Sequence, residues 1–172
     1  MTKKISGVPV IFVAGILEKK ENGVKKILIQ TRWKPKITLK YSGLFEIPGG
    51  RINNYENIFE ALAREVKEEC GLKIISCRNF FREKLFKVNK LEQTMIFQPF
   101  ICQQVLTSKG GIPWFGFVFI CEVQGKPKMQ KGETKDPRWV SIKELKKLLD
   151  KQPNKIFPHQ YQILKYYINN TK

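Results

Sequence analysis

Between Gly50 and Leu72 the chain reads GRINNYENIFEALAREVKEECGL, and the rest of the sequence is best read outward from this stretch. Over 57–70 the apolar residues Ile58, Phe59, Leu62, Ala63, Val66 and Cys70 recur with helical spacing. Asn57, followed three residues later by Glu60, has the pattern of a capping box, and Gly71 stands where a helix stops. On a wheel of about 100° per residue, Phe59, Leu62, Ala63, Val66 and Cys70 fill one broad side. Glu65, Glu68 and Glu69 lie along one edge of that side, their Cβ atoms about 5–6 Å apart, while Glu60 and Lys67 point elsewhere. Like charges so placed repel, and an oxygen-seeking divalent cation turns the repulsion into affinity. Mg²⁺ fits best, with Mn²⁺ as the alternate. A solvated acidic face is the competing reading. Five of the chain's 15 acidic residues fall between Glu56 and Glu69, a concentration that calls for a cause in a chain of net charge +17.

Upstream, Leu44–Ile47 reads as a short strand broken by Pro48-Gly49-Gly50-Arg51. Glycines between a strand and an acidic helix can bring bare backbone N–H groups close to a phosphate, and a plain tight turn is the alternative. Further back, Val8–Leu17 is a strand, Glu21-Asn22-Gly23 a turn and Lys26–Thr31 a second, antiparallel strand. Residues 32–43 are basic and irregular. Downstream, Ile74–Phe81, Leu91–Val105 and Trp114–Glu122 are strand-like, with a turn at Lys109-Gly110-Gly111. A Gly- and Lys-rich loop over 125–138 precedes the short strand Trp139-Val140. Ser141 caps a helix over 142–149, with Glu144 three residues on, and a last helix covers 158–169. No repeat or linker divides the chain, so a single domain over 1–172 with mixed α/β layers is expected.

The 172 residues suffice for one compact domain, and 42% hydrophobic with 27% charged residues describes a folded rather than a disordered chain. The net charge should attract anions, whether nucleic acid, nucleotides or free phosphate; a solubilising surface with no partner is the competing reading. No arginine-rich arm or zinc-finger pattern is present. Gly7–Leu17 follows Lys3-Lys4 in the manner of a signal peptide, but it lacks a cleavage site and is too short to span a bilayer; a buried strand and a cytoplasmic protein with no membrane partner are expected. The four cysteines, Cys70, Cys77, Cys102 and Cys121, have no zinc-knuckle or redox-dithiol spacing and read as reduced, largely buried thiols. His159 is the single histidine, which argues against a His-based metal site or a Ser-His-Asp triad.

The segment Gly50–Leu72 resembles the Nudix box of the Nudix hydrolase superfamily. Gly50, Glu56, Arg64, Glu65, Val66, Glu68, Glu69, Gly71 and Leu72 meet every fixed position of that pattern. Leu44-Phe45-Glu46-Ile47-Pro48-Gly49 is similar to the strand that leads into the box, and Arg138-Trp139-Val140-Ser141 with Glu144-Leu145 to the late strand and helix. The resemblance implies an α/β/α sandwich around a mixed β-sheet and hydrolysis of a nucleoside diphosphate linked to another group. It makes Glu65, Glu68 and Glu69 the metal carboxylates for Mg²⁺ or Mn²⁺, has Arg64 orient them with support from Glu56, and lets Gly50 give the loop its close approach. Bound cations would neutralise the diphosphate and activate water. The general base is expected at Glu68 or Glu69, or on the later loop at Glu133, with Asp136 next.

Substrate contacts fall outside the box. Gly49, Gly50, Arg51, Arg32 and Trp33 are expected at phosphate or substrate, with Lys34 and Lys36 nearby. Trp33, Phe100, Trp114 and Phe115 are each candidates to stack on a base, core packing being the commoner fate. A nucleoside triphosphate, ADP-ribose or a dinucleotide all suit the chemistry. The alternatives are action on the 5′ end of RNA, which the basic charge favours, and a non-catalytic nucleotide sensor, which has no need of the full carboxylate set. The family also admits a homodimer, and nucleic acid remains an open partner.

Overall fold

The computed structural model describes residues 9–78, 86–87, 93–106, 113–129 and 133–171, with Thr38, Phe86 and Lys87 in backbone alone. Its centre is β1 (Val10–Glu21), a strand whose side chains alternate between two cores. Val13 and Leu17 point to one face, Ala14 and Ile16 to the other, as the two-residue period of a strand dictates. Asn22 and Gly23, both at positive φ, turn the chain into β2 (Val24–Arg32), which pairs antiparallel with β1.

A short helix α1 (Pro35–Thr38) and a 3₁₀ turn (Leu39–Tyr41) occupy the stretch read as irregular. Then come β3 (Phe45–Glu46) beside β2, β4 (Gly49–Arg51) beside β1, and helix α2 (Ile58–Cys70). Strand β5 (Lys73–Cys77) and a small hairpin of β6 (Phe86–Lys87) and β7 (Gln93–Thr94) lead to β8 (Ile101–Val105) and β9 (Trp114–Gln124). The chain ends with β10 (Thr134–Ser141), α3 (Ile142–Lys151) and α4 (Pro158–Asn170). The main sheet runs β10-β2-β1-β9-β5, with β3, β4 and β8 added at β2, β1 and β9. Because β1 and β9 run parallel while the other pairs are antiparallel, the sheet is mixed.

Helix α2 covers one face, burying Leu62 and Val66 against Val13, Leu17, Leu28 and Phe119. Helices α3 and α4 cover the other, where Leu145, Leu149, Ile163, Leu164 and Tyr167 meet Ile16, Ile27, Ile29, Val118 and Ile120. Each such aliphatic contributes about 1.5–3 kcal/mol by leaving water. The result is the expected α/β/α sandwich. No helix among the described residues is long and apolar enough to cross a membrane.

Three expectations need correction. Ala63 lies on the exposed side of α2 and Ala61 takes its place in the core, since residue 63 shares the outward face of Glu60 and Lys67. Leu91–Val105 is not one strand, because 95–100 lies between β7 and β8. The 125–138 segment is not loop throughout: Thr134 and Lys135 already pair with Arg32 and Thr31, and a bulge at Asp136-Pro137, with Asp136 at φ 48°, interrupts the ladder before Arg138. The Lys109-Gly110-Gly111 turn lies outside the described residues. Ser141 and Glu144 form the reciprocal capping box expected of them.

Candidate active site

The acidic helix begins at Asn57, whose side chain accepts a hydrogen bond from the Phe59 N–H at 2.9 Å. The cap therefore works through Phe59 rather than as a capping box with Glu60. Gly71 ends the helix at φ 67°, its N–H donating to Lys67 O at 3.0 Å, a left-handed conformation that suits glycine. Between these ends the glutamates take three environments. Glu69 is 2% exposed, Glu65 has 13% of its side chain exposed, and Glu68 has 56%.

Arg64 gathers the outer acids. Its Nε and Nη2 donate to the two oxygens of Glu56 at 2.7 and 2.9 Å, and Nη1 donates to Glu65 Oε1 at 2.6 Å and reaches Glu68 Oε2 at 3.3 Å. Nη2 also donates to Arg51 O at 3.0 Å, which ties the helix to the end of β4. Glu56 accepts from the Asn53 N–H as well, and these donors, Arg64 first, hold its carboxyl at about 2. The same pairing pushes the Arg64 guanidinium up from its ordinary value, so it stays charged.

A larger residue at either glycine before the helix would force a neighbour to shift, the Val13–Ala14 backbone at Gly49 and the Glu65 carboxylate at Gly50. A Cβ on Gly50 would stand 2.2 Å from the Glu65 carboxyl carbon, and one on Gly49 2.4 Å from Val13 O. The Gly49 N–H donates to Glu69 Oε2 at 3.0 Å. Gln30 Nε2, from β2, donates to the same oxygen at 2.8 Å, and Gln30 Oε1 accepts from the Cys70 thiol. Burial pushes Glu69 up to about 8, the nearby Glu46 carboxylate adds to the rise, and the Gly49 and Gln30 donors oppose it. Glu46 is itself buried and raised, chiefly by burial, against the pull of Arg32, whose Nη1 lies 3.1 Å from Glu46 Oε2. Its other oxygen, Oε1, is buried without a hydrogen-bond partner.

From Gly49, Glu46 and Arg32 a pocket of roughly 550 Å³, counted to its solvent mouth, runs along the α4 face of the sheet. Trp114 stacks on Phe12 with centroids 4.1 Å apart and planes 10° apart, and the His159 ring meets Trp114 edge-on at 4.8 Å. Phe157 packs on His159 and lies under the Arg32 guanidinium. Burial, then Arg32, lowers the His159 pKa, which favours a neutral imidazole, and its Nδ1 is buried without a hydrogen-bond partner. Gln160 braces the floor, accepting from the Ile47 N–H and donating to Ile47 O at 2.7 and 3.1 Å.

Of the four aromatic candidates, Trp114 alone lines this pocket. Phe100 packs on Tyr166 and Tyr167, Phe115 is 40% exposed, and Trp33 lies beneath the Lys135 ammonium at 3.3 Å. Arg32 lines the pocket, whereas Arg51 is exposed and accepts a hydrogen bond from Arg64 through its carbonyl. Glu133 pairs with Lys34 at 2.9 Å and is 52% exposed; its neighbour Thr134 donates to Glu69 O at 3.0 Å. Lys36 is exposed, and Asp136 sits in the bulge of β10. Sequence reasoning missed Gln30, Glu46, Phe12, Phe157 and His159. A polar residue inside the apolar run KILIQT was the available signal for Gln30.

The donor set tests the fit of a divalent cation. The acidic groups are all carboxylates, beside a glycine backbone that approaches the Glu65 carboxyl closely, and a buried carboxylate oxygen nearby lacks a donor. This chemistry suits Mg²⁺ or Mn²⁺. Among the described residues no three such side chains converge on one point. Arg64 holds Glu65 and Glu68, while Glu69 turns toward Gln30 and the Gly49 N–H.

Comparison with known proteins fits this arrangement. The family model described as "NUDIX domain" matches residues 9–160. Over 70 residues the chain is 44% identical to an 8-oxo-dGTP diphosphatase of Buchnera aphidicola, covering 41% of this chain and 48% of that protein. Over 64 residues it is 39% identical to an ADP-ribose pyrophosphatase of Methanocaldococcus jannaschii, covering 37% and 33%. The aligned stretches thus span about half or less of these relatives. Among solved structures, a MutT protein from Methanosarcina mazei superposes with a TM-score of 0.65 at 20% identity, over 98% of this chain and 99% of that one.

Proposed function

Because the chain belongs to the Nudix family, as the match over residues 9–160 shows, we propose that it is a pyrophosphohydrolase acting on a nucleoside diphosphate linked to a further group. The observation that carries this reading is the double role of Gly49. Its N–H donates to Glu69 on the acidic helix, and the same residue lines the aromatic pocket. A substrate with its nucleoside in the pocket, beside the Trp114 and His159 rings, would have its diphosphate toward Gly49, on the side of the carboxylates.

Glu65, Glu68 and Glu69 would hold the cation, Mg²⁺ first and Mn²⁺ second. When bound, it supplies charge neutralisation at the diphosphate and makes a water more acidic. Glu68 is the best-placed proton acceptor, since it is the most solvent-open of the three and the least tightly held. Arg64 keeps Glu65 aligned and is itself held by Glu56. Arg32, braced by Glu46 and Phe157, faces the end of the pocket where phosphate charge accumulates. Trp114 and the neutral His159 line the pocket in which a base would bind.

The two curated relatives bracket two substrate types, an oxidised nucleoside triphosphate and a nucleotide sugar. The charge of +17 makes 5′-triphosphorylated RNA a second reading. Incubation with dGTP, 8-oxo-dGTP, ADP-ribose and 5′-triphosphorylated RNA in Mg²⁺, with products identified by mass, separates them. A nucleoside monophosphate from a small substrate is expected. Exclusive turnover of the RNA selects the second reading, and no turnover in Mg²⁺ or Mn²⁺ refutes both.

A further inference from the structure

Away from the pocket, two thiols face each other across neighbouring strands. Cys77 at the end of β5 and Cys121 within β9 are directly paired in the antiparallel ladder. The Arg78 N–H donates to Ile120 O at 2.7 Å, which makes Cys77–Cys121 a non-hydrogen-bonded pair. Such pairs bring Cα atoms to about 4.5 Å, within the range a disulfide needs. The two Sγ atoms are 3.0 Å apart, and both thiols are free.

We propose that Cys77 and Cys121 form a reversible disulfide that staples β5 to β9 when the protein meets a small-molecule disulfide. Access sets the order of events. Cys121 is fully buried and Cys77 half-buried, so the oxidant reaches Cys77 first. The Cys121 hydrogen bond holds the Cys77 thiol below its ordinary pKa, and its counterpart is raised. The Cys77 thiolate attacks one sulfur of the oxidant and releases the first small thiol. Cys121 then loses its proton and attacks the Cys77 sulfur of the mixed disulfide, releasing the second. Two protein S–H groups and one small disulfide become one protein disulfide and two small thiols; the protein is oxidised and the oxidant reduced.

The bond would tie down the strand that leaves the glutamate helix through Gly71 and Leu72. It joins residues 44 apart in sequence, so it restricts the unfolded chain strongly.

The test uses the full chain carrying Cys102→Ser, which removes the exposed thiol. After incubation with oxidised glutathione, the intact mass should fall by about 2 Da, and a peptide map should join Cys77 to Cys121. The thermal midpoint should rise by roughly 5–10 °C and return with dithiothreitol. Cys77→Ser should abolish the rise, while the mass readout stands even if that variant folds poorly. A glutathione adduct that persists on Cys77 overturns the proposal. So do unmodified Cys77 and Cys121 under conditions that modify Cys102 in the unsubstituted chain.

Discussion

Replacing Glu69 with Gln should stabilise the metal-free protein at alkaline pH while removing its activity. In the unfolded chain this carboxyl titrates near 4.5, and in the fold near 8. Between those values the folded chain keeps a proton that the unfolded chain has released, so stability is full below about 4.5 and falls as pH rises toward 8. At about 1.36 kcal/mol per pH unit, the window is worth on the order of 4–5 kcal/mol. A glutamine presents its carbonyl to the Gly49 N–H and to Gln30, as Glu69 Oε2 does, and cannot ionise. Urea unfolding in chelator from pH 5 to 8.5 should show wild type losing stability relative to Glu69→Gln, with the two near parity at the acid end. With Mg²⁺ present the variant should lose about 10²-fold or more in kcat, as expected when a charge-stabilising group is removed. Parallel stability profiles for the two proteins would refute the burial argument. Unchanged kcat would remove Glu69 from the site.

Gly50→Ala places a methyl 2.2 Å from the Glu65 carboxyl carbon and should reduce kcat by about 10²-fold, with circular dichroism checking that the fold survives. Glu56→Gln takes a charged acceptor from Arg64, which then binds Glu65 and Glu68 more tightly, so the Mg²⁺ concentration for half-maximal activity should rise severalfold. Glu133→Gln should change kcat by less than about tenfold, because that carboxylate is half-exposed and paired with Lys34; a loss of 10²-fold would move the general base from the helix to the loop.

The helix was legible because every signal in it is local. A cap, an apolar period, a terminal glycine and three carboxylates lie within 15 residues, and tertiary packing changed only the cap partner and the choice between Ala61 and Ala63. The pocket was not legible because the sheet builds it. Register sets Phe12 opposite Gly116 and Val10 opposite Trp114, and the start of α4 brings His159, with Phe157 just before it, to the same place from the far end of the chain. Buried polar residues were hidden for the same reason. Gln30 and Glu46 sit in strand segments whose alternation resembles any half-buried strand, and only the pairing Gln30↔Glu46 beside Glu69 reveals a polar centre. The bulge at Asp136-Pro137 concealed β10, since Pro and Asp are the residues by which loops are recognised.

The most direct test is hydrolysis of a nucleoside diphosphate derivative with and without divalent cation, in wild type and in Glu69→Gln. Wild type should release a nucleoside monophosphate in Mg²⁺, and both chelator and the substitution should suppress the product by about 10²-fold. Equal release in chelator, or from the substituted protein, would contradict a metal-dependent reaction centred on the acidic helix.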